Sequence, residues 1–135
     1  MIERGAAALV VAPPGRLRTG WRALLLATPQ ISEAWEVTAT LSVQSEVVAL
    51  DPDIVLVDAD AFGETTWTLL DQIRERWPVC RNIVLVCSAQ KRQEALGTGV
   101  DAVLVKGFRA AELSAVVDRL LSPWPGDERQ VAKDT

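Results

Sequence analysis

The sequence predicts an α/β fold in which five β-α units build a doubly wound, five-stranded parallel sheet. Short apolar runs alternate with longer segments whose apolar residues recur at helical spacing. The short runs are rich in valine, leucine and isoleucine, which is typical of parallel strands buried on both faces. With 135 residues, 49% hydrophobic and 24% charged, the chain suits one such domain.

The predicted strands end abruptly at turn residues. The first covers 6–12 and stops at two prolines. The other four predicted strands are 35–40 (WEVTAT), 53–58 (DIVLVD), 82–87 (NIVLVC) and 101–105 (DAVLV).

Helices are predicted between and after these strands. Leu17, Trp21, Leu24 and Leu25 form the apolar stripe of the first helix, which Pro29 ends. Further helices are predicted over 42–50, 64–77, 90–96 and 110–121. We therefore expect one domain over 1–122 and a polar linker or disordered tail over 123–135.

Composition excludes several kinds of function. The chain has no histidine, which removes Ser-His and Cys-His catalysis and the usual zinc sites. A net charge of -4 gives no general attraction to nucleic acid or to anionic lipid. No apolar stretch approaches the roughly 18 residues of a membrane span, and the N-terminus lacks the order of a secretory signal. We expect a cytoplasmic protein in which Cys80 and Cys87 are reduced core thiols.

Polar residues follow three successive strands. Asp58, Ser88 and Lys106 come at the carboxyl ends of the third, fourth and fifth predicted strands, where sites form in such sheets. An aspartate after a strand is commonly only a turn or cap residue. Asp58 could be a nucleophile or a charge partner, Ser88 could hydrogen-bond an oxyanion or the carboxylate, and Lys106 could pair with either. As charge partners, Asp58 and Lys106 are expected to be in direct contact, with Ser88 hydrogen-bonded to the carboxylate.

These residues lie in the stretches DPDIVLVDAD, IVLVCSA and GVDAVLVKG, which resemble receiver domains of two-component response regulators. The stretch RTGWRALL resembles the first helix of receivers that precede LuxR/NarL-type helix-turn-helix domains. The resemblance covers 7–121 and implies the flavodoxin-like, CheY-like fold. It also implies that Asp58 is the phospho-acceptor equivalent, with Ser88 and Lys106 at the family's hydroxyl and lysine positions. Family members use these residues, with Mg²⁺, to take a phosphoryl group from a histidine kinase.

The sequence departs from this family at the metal positions. The first strand of active members ends in an acidic pair that holds Mg²⁺, whereas Ala12 and Pro13 stand there in this chain. Alanine offers no side-chain oxygen, so no cofactor is expected and transfer onto Asp58 loses its main charge neutraliser. Val103 replaces the usual aromatic switch residue, and Gly107 replaces the proline that usually follows the lysine. The sequence thus predicts a degenerate pseudo-receiver.

The main functional hypothesis is a non-enzymatic signalling module that works without phosphorylation, through contacts with a partner protein or sensor kinase. It would suit the N-terminal regulatory part of a transcription regulator that contacts DNA only through a further domain. One alternative is a conventional receiver phosphorylated at Asp58, with Asp60 helping to rebuild the metal site. Another is a small-ligand sensor, which is supported by a basic cluster that could bind an anion: Arg16, Arg18 and Arg22. That cluster is more commonly a solvated helix face.

We expect homodimerisation through the exposed face of the last helix. This face carries small side chains that let another helix approach closely, and an aromatic anchor precedes it. The predicted interface residues are Phe108, Ala111, Ser114, Ala115 and Asp118.

Overall fold

The structure, a computed structural model, describes residues 5–38 and 50–122. Within them, five parallel strands form one sheet in the order β2-β1-β3-β4-β5, so the predicted doubly wound fold is confirmed. The strands are β1 Ala6–Val11, β2 Ile31–Val37, β3 Ile54–Asp58, β4 Arg81–Val86 and β5 Ala102–Val105.

Helices cover both faces of this sheet. They are α1 Arg16–Leu26, the one-turn α2 Ala59–Phe62, α3 Thr65–Arg76, α4 Ala89–Leu96 and α5 Ala110–Leu121. Helices α1 and α5 bury Leu25 and Leu113 against one face, and α3 buries Leu70 and Ile73 against the other. All five residues of β3 are buried, because a central strand of a doubly wound sheet has no solvent side.

Two elements differ from the prediction. Strand β2 begins at Ile31, four residues before the predicted start. The prediction is late because Ser32 and Glu33 are both exposed on an outer strand and interrupt the alternation of apolar and polar residues. Helix α2 is an addition, started where the Asp58 carboxylate accepts backbone N–H groups. The predicted helix over 42–50 and tail over 123–135 lie outside the described residues, apart from Leu50.

Two expected core residues are exposed. Leu17 is 59% exposed, so the buried stripe of α1 starts one turn later, at Trp21. Cys87 is also exposed, whereas Cys80 is buried, and burial raises the pKa of the Cys80 thiol to about 12. Both cysteines are free.

None of the helices in the described part of the chain has the length and apolar character that crossing a membrane requires.

A candidate site at the carboxyl edge of the sheet

The parallel register brings the ends of β3, β4 and β5 to one edge. Asp58 lies opposite Leu85, and Val86 lies opposite Val105. The Lys106 N–H donates to the Val86 carbonyl at 2.7 Å, which fixes the lysine backbone beside the end of β4. Gly107 follows with φ +95°, a left-handed conformation that glycine adopts freely, and turns the chain away. The side chains beyond these strands therefore converge.

The Lys106 ammonium is the centre of the site. Its Nζ lies 2.7 Å from Asp58 Oδ1 and 3.0 Å from Asp60 Oδ2, so the predicted Asp58–Lys106 contact is confirmed. The Asp58 side chain is only 7% exposed and that of Lys106 is 23% exposed, which makes this a largely buried pair. Burial opposes the charge on Lys106, but its contacts with the two carboxylates prevail and raise its pKa.

Asp58 also acts as a helix cap. Its Oδ1 accepts the N–H groups of Asp60 and Ala61, at 3.2 and 3.3 Å, and these bonds begin α2. The cap interpretation and the ion-pair interpretation of Asp58 are therefore both correct. This turn places the side chain of Asp60 beside Lys106.

Asp60 is the second carboxylate of the site. Burial works to raise its pKa, but Lys106, the Cys87 thiol and Lys91 together prevail and lower it. Lys91 Nζ lies 3.9 Å from Asp60 Oδ1 and its side chain is 55% exposed, so this pair is weaker than the one with Lys106. The sequence predicts Asp60 only as a replacement metal ligand, and the signal for its observed role is its spacing of two from Asp58.

Ser88 lies at the same edge, but it caps a helix and is not hydrogen-bonded to Asp58 as expected. Its hydroxyl accepts the Lys91 N–H at 3.2 Å and caps α4. The expected hydrogen bond between Ser88 and Asp58 is wrong for the described part of the chain. A serine just before a helix accepts an N-terminal N–H group, and this local bond orients the Ser88 side chain over the first turn of α4.

The side chains at the end of β1 are apolar, and the backbone there contacts the guanidinium of Arg18. Ala12 is buried, and its carbonyl accepts from Arg18 Nη1 at 3.2 Å. Arg18 Nε lies 2.9 Å from Glu36 Oε1, and Arg22 Nε donates to the Ala34 carbonyl at 2.7 Å. Arg18 and Arg22 are thus bonded to β2, although the Arg22 side chain is still 44% exposed. Arg16 stays exposed.

A groove of about 410 Å³ lies between the end of β1 and the start of α1. Ala12, Pro13, Leu17 and Trp21 line it together with Asp58. The Trp21 ring centroid is 5.5 Å from Lys106 Nζ, within the range of a cation–π contact. The apolar stripe correctly placed Trp21 in the core, but helical spacing carried no signal that its ring would face the lysine.

The residues at this edge do not fit the Mg²⁺ that the family resemblance implies. Mg²⁺ requires oxygen ligands in a near-octahedral array. Across residues 5–38 and 50–122, no group of three or more His, Cys, Asp or Glu side chains is placed to hold a metal ion. Asp58 and Asp60 both form ion pairs with the Lys106 ammonium, and the Ala12 carbonyl accepts a hydrogen bond from the Arg18 guanidinium. The oxygens at this edge are thus bound to cationic side chains.

The predicted interface residues of α5 separate into two groups. Ala111, Ala115 and Asp118 are exposed, whereas Ser114 is half-buried. Phe108 is half-buried and packs against the core beneath α1 and α5. Asp118 Oδ1 accepts from Gln30 Nε2. The freely available small-residue face of α5 is therefore narrower than expected and centres on Ala111 and Ala115.

No protein-family model matches this sequence, and no curated protein sequence matches it. Solved structures do. The N-terminal signal receiver domain of a Bacteroides fragilis two-component response regulator matches with a TM-score of 0.73 at 15% identity, covering 88% of this chain and 98% of its own.

Two further matches are also two-component signalling proteins, a receiver domain and a response regulator. The receiver domain of a Pseudomonas aeruginosa PAO1 sensor histidine kinase, with a magnesium ion coordinated in its active-site cleft, matches with a TM-score of 0.68 at 21% identity over 87% of this chain and 98% of its own. A LuxR-family DNA-binding response regulator from Staphylococcus aureus matches with a TM-score of 0.67 at 18% identity, over 85% of this chain and 98% of its own. This chain therefore has the CheY-like fold of response-regulator receiver domains.

Proposed function

We propose that this domain is a pseudo-receiver, a signalling module that acts through protein contacts without accepting a phosphoryl group. One observation carries the proposal. Ala12 and Pro13 present a methyl group and a ring at the end of β1, while Asp58 and Asp60 share the Lys106 ammonium. The site has a charge partner for its carboxylates but no side-chain ligands opposite them.

The chemistry of phosphoryl transfer explains why this matters. The transferred group carries negative charge, and metal ions or cationic side chains must neutralise it as it approaches the acceptor. Here it would approach Asp58 beside a second carboxylate, Asp60. Lys106, with only the more distant and half-exposed Lys91 beside Asp60, would have to neutralise both carboxylates and the phosphoryl oxygens. We therefore expect transfer onto Asp58 to be very slow.

The test is incubation with acetyl phosphate and Mg²⁺, followed by intact-mass measurement. The matched control is Asp58→Asn, and a conventional receiver treated in parallel shows that the reagent works. We expect no adduct that distinguishes the wild-type chain from Asp58→Asn. Stoichiometric phosphorylation that Asp58→Asn abolishes would contradict the proposal.

That opposite result would establish the second candidate, a conventional receiver. The observation in its favour is that Asp58, Ser88 and Lys106 do lie at one edge of the sheet, with Asp60 as an added carboxylate. The ligand-sensor alternative has lost most of its support, because Arg18 and Arg22 are bound to β2.

We propose that the domain signals through self-association at α5. Ala111 and Ala115 are exposed one turn apart and allow close helix approach. Beside them, a groove of about 590 Å³ runs along β5 between α4 and α5. Its walls include Leu96 together with Arg92 and Glu112, which have opposite charges. Such a mixed surface can pair with itself about a two-fold axis.

Light scattering of the wild-type chain beside Ala115→Arg tests this interface. We expect a concentration-dependent dimer that the arginine weakens, because it places charge and bulk on the contact face. Ala23→Arg, at an exposed position of α1, is the matched control and should dimerise normally. A wild-type chain that stays monomeric, or equal dimerisation by Ala115→Arg, would contradict the proposed surface.

We further propose that the domain is the regulatory part of a cytoplasmic transcription regulator. The receiver fold and the similarity to a LuxR-family response regulator support this role. The gene sequence beyond position 135 tests it. A helix-turn-helix domain is the expected continuation, and an unrelated catalytic domain would contradict it.

A further inference from the structure

We infer that Trp21 is a positioning residue for Lys106, whose indole face holds the ammonium between Asp58 and Asp60 and makes this corner select an ammonium over a divalent metal. The inference rests on the proposed function, in which the lysine rather than Mg²⁺ neutralises the two carboxylates. It assigns to Trp21 a role beyond filling the core.

The geometry places the ring as one wall of a small cation site. Lys106 Nζ has Asp58 Oδ1 at 2.7 Å, Asp60 Oδ2 at 3.0 Å and the Trp21 ring centroid at 5.5 Å. Trp21 is only 6% exposed and packs in the same core cluster as Leu25. A ring held by a packed core is a rigid wall, so it restricts the ammonium at little further entropic cost.

The lysine is also fixed from its other end. Its backbone N–H is bonded to the Val86 carbonyl, and the turn at Gly107 follows at once. The flexible part of Lys106 is therefore its four-carbon stem alone, and the contacts at Nζ decide where that stem lies. Two contacts are carboxylates and the third is the indole.

The indole explains the selectivity of the site. A cation with little bound water is attracted to the face of an aromatic ring. Mg²⁺ keeps its waters and needs oxygen ligands, which neither an indole face nor the neighbouring Ala12 methyl group supplies. Two carboxylates facing an aromatic wall are thus suited to an ammonium. With carboxylates in place of Ala12 and Pro13, the same corner would suit a metal.

The experiment compares Trp21→Phe with Trp21→Leu. Both substitutions remove bulk from the core, but only phenylalanine keeps a π face toward Lys106. Reductive methylation resolved by peptide mass spectrometry reports how freely each lysine leaves its contacts. Lys91, which is half-exposed, is the internal reference. The reaction contains no metal ion and no phosphodonor.

We expect slower labelling at Lys106 than at Lys91 in the wild-type chain. Trp21→Leu should speed labelling at Lys106 by about 2- to 30-fold, the range that a cation–π contact supports, and leave Lys91 unchanged. Trp21→Phe should retain most of the protection. Equal rates for the two variants, or an unchanged rate at Lys106 in Trp21→Leu, would overturn the inference.

A second measurement applies if the Trp21 variants do not fold. Lys106→Met leaves Trp21 in place, and the Trp21 indole N–H resonance should shift while that of Trp67 does not. An unmoved Trp21 resonance would overturn the inference. Both measurements are made without a phosphodonor, so Asp58 is unmodified in them. Phosphorylation of Asp58 in the separate acetyl phosphate test would overturn the proposed function alone, and the two failures are therefore distinguishable.

Discussion

The carboxyl ends of β1 and β3 lie side by side, with Val11 opposite Val57, yet they carry opposite chemistry. Strand β3 ends in Asp58, which pairs with Lys106, whereas β1 is followed by the buried Ala12 and then by a proline. Backbone pairing continues past the end of β1, where the Ala12 N–H donates to the Val37 carbonyl at 3.1 Å. A strand can therefore lose the polar side chains at its end while its place in the sheet is kept.

The two ends also differ in what holds them. At β3, two carboxylates share the Lys106 ammonium. Removing it leaves the largely buried Asp58 unpaired and leaves Asp60 with only the weaker Lys91 contact. At β1, a separate pair between Arg18 and Glu36 secures the neighbouring helix and strand. We therefore expect a large loss in the free energy of unfolding when the contacts at the end of β3 are removed, and a smaller loss at the end of β1. We expect little energetic coupling between the two ends.

The largest effect is expected for Lys106→Met, which removes the shared counter-charge from Asp58 and Asp60. We expect a loss of about 3 kcal/mol in the free energy of unfolding at pH 7, measured in urea, the lower end of the range for a broken buried pair because Lys106 is partly exposed. The control is Lys91→Met, which should lose at most about 1 kcal/mol. Equal losses in the two variants would show that the site is not organised around Lys106.

A smaller effect is expected for Asp60→Asn, and it should depend on pH. The lowered pKa of Asp60 means that its stabilising contribution is present above its ordinary value of 3.8 and is lost as pH falls below it. The raised pKa of Lys106 means that its contribution is present below its ordinary value of 10.5 and is lost as pH rises above it. Between these limits the variant should be less stable by about 1–2 kcal/mol.

Urea unfolding at neutral pH and again in acid, below that ordinary value for Asp60, checks this dependence. The difference between the wild-type chain and Asp60→Asn should shrink in acid, because the wild-type carboxylate becomes neutral there too. A difference that grows on acidification would contradict the assignment of Asp60 as a paired carboxylate.

The smallest effect is expected at the β1 end. Glu36→Gln removes the partner of Arg18 and should cost about 1 kcal/mol, since both side chains keep partial contact with water. Combined with Lys106→Met, its cost should add to within about 0.5 kcal/mol, because the two pairs share no partner. A larger coupling in this double-mutant cycle would show that the two strand ends form one electrostatic unit.

Most of the fold was predictable from apolar patterning. The predicted bounds of β3 and β4 lie within one residue of those observed, because strands buried on both faces are continuous apolar runs. Strand β2 was placed late, since Ser32 and Glu33 face solvent. Helix α2 was missed because a single turn has no periodicity to detect.

The site was predictable only in part. The pairing of Asp58 with Lys106 follows from topology, since the ends of parallel strands meet at one edge. The contacts of Asp60 and Trp21 with Lys106 depend on how side chains leave α2 and α1, and residue spacing does not record that direction. The expected bond between Ser88 and Asp58 does not form among the described residues, because the cap bond with the Lys91 N–H orients the Ser88 side chain toward α4.

The most direct test of the central claim is an NMR titration of the wild-type chain with Mg²⁺. The claim is that Lys106, not a metal ion, neutralises the carboxylates at this edge. Ala12→Asp/Pro13→Asp, which supplies the missing carboxylates, is the comparison variant, and its Asp58 and Asp60 amide resonances should shift saturably. We predict no saturable shift of these resonances in the wild-type chain. A saturable wild-type shift that Asp58→Asn abolishes would contradict the account.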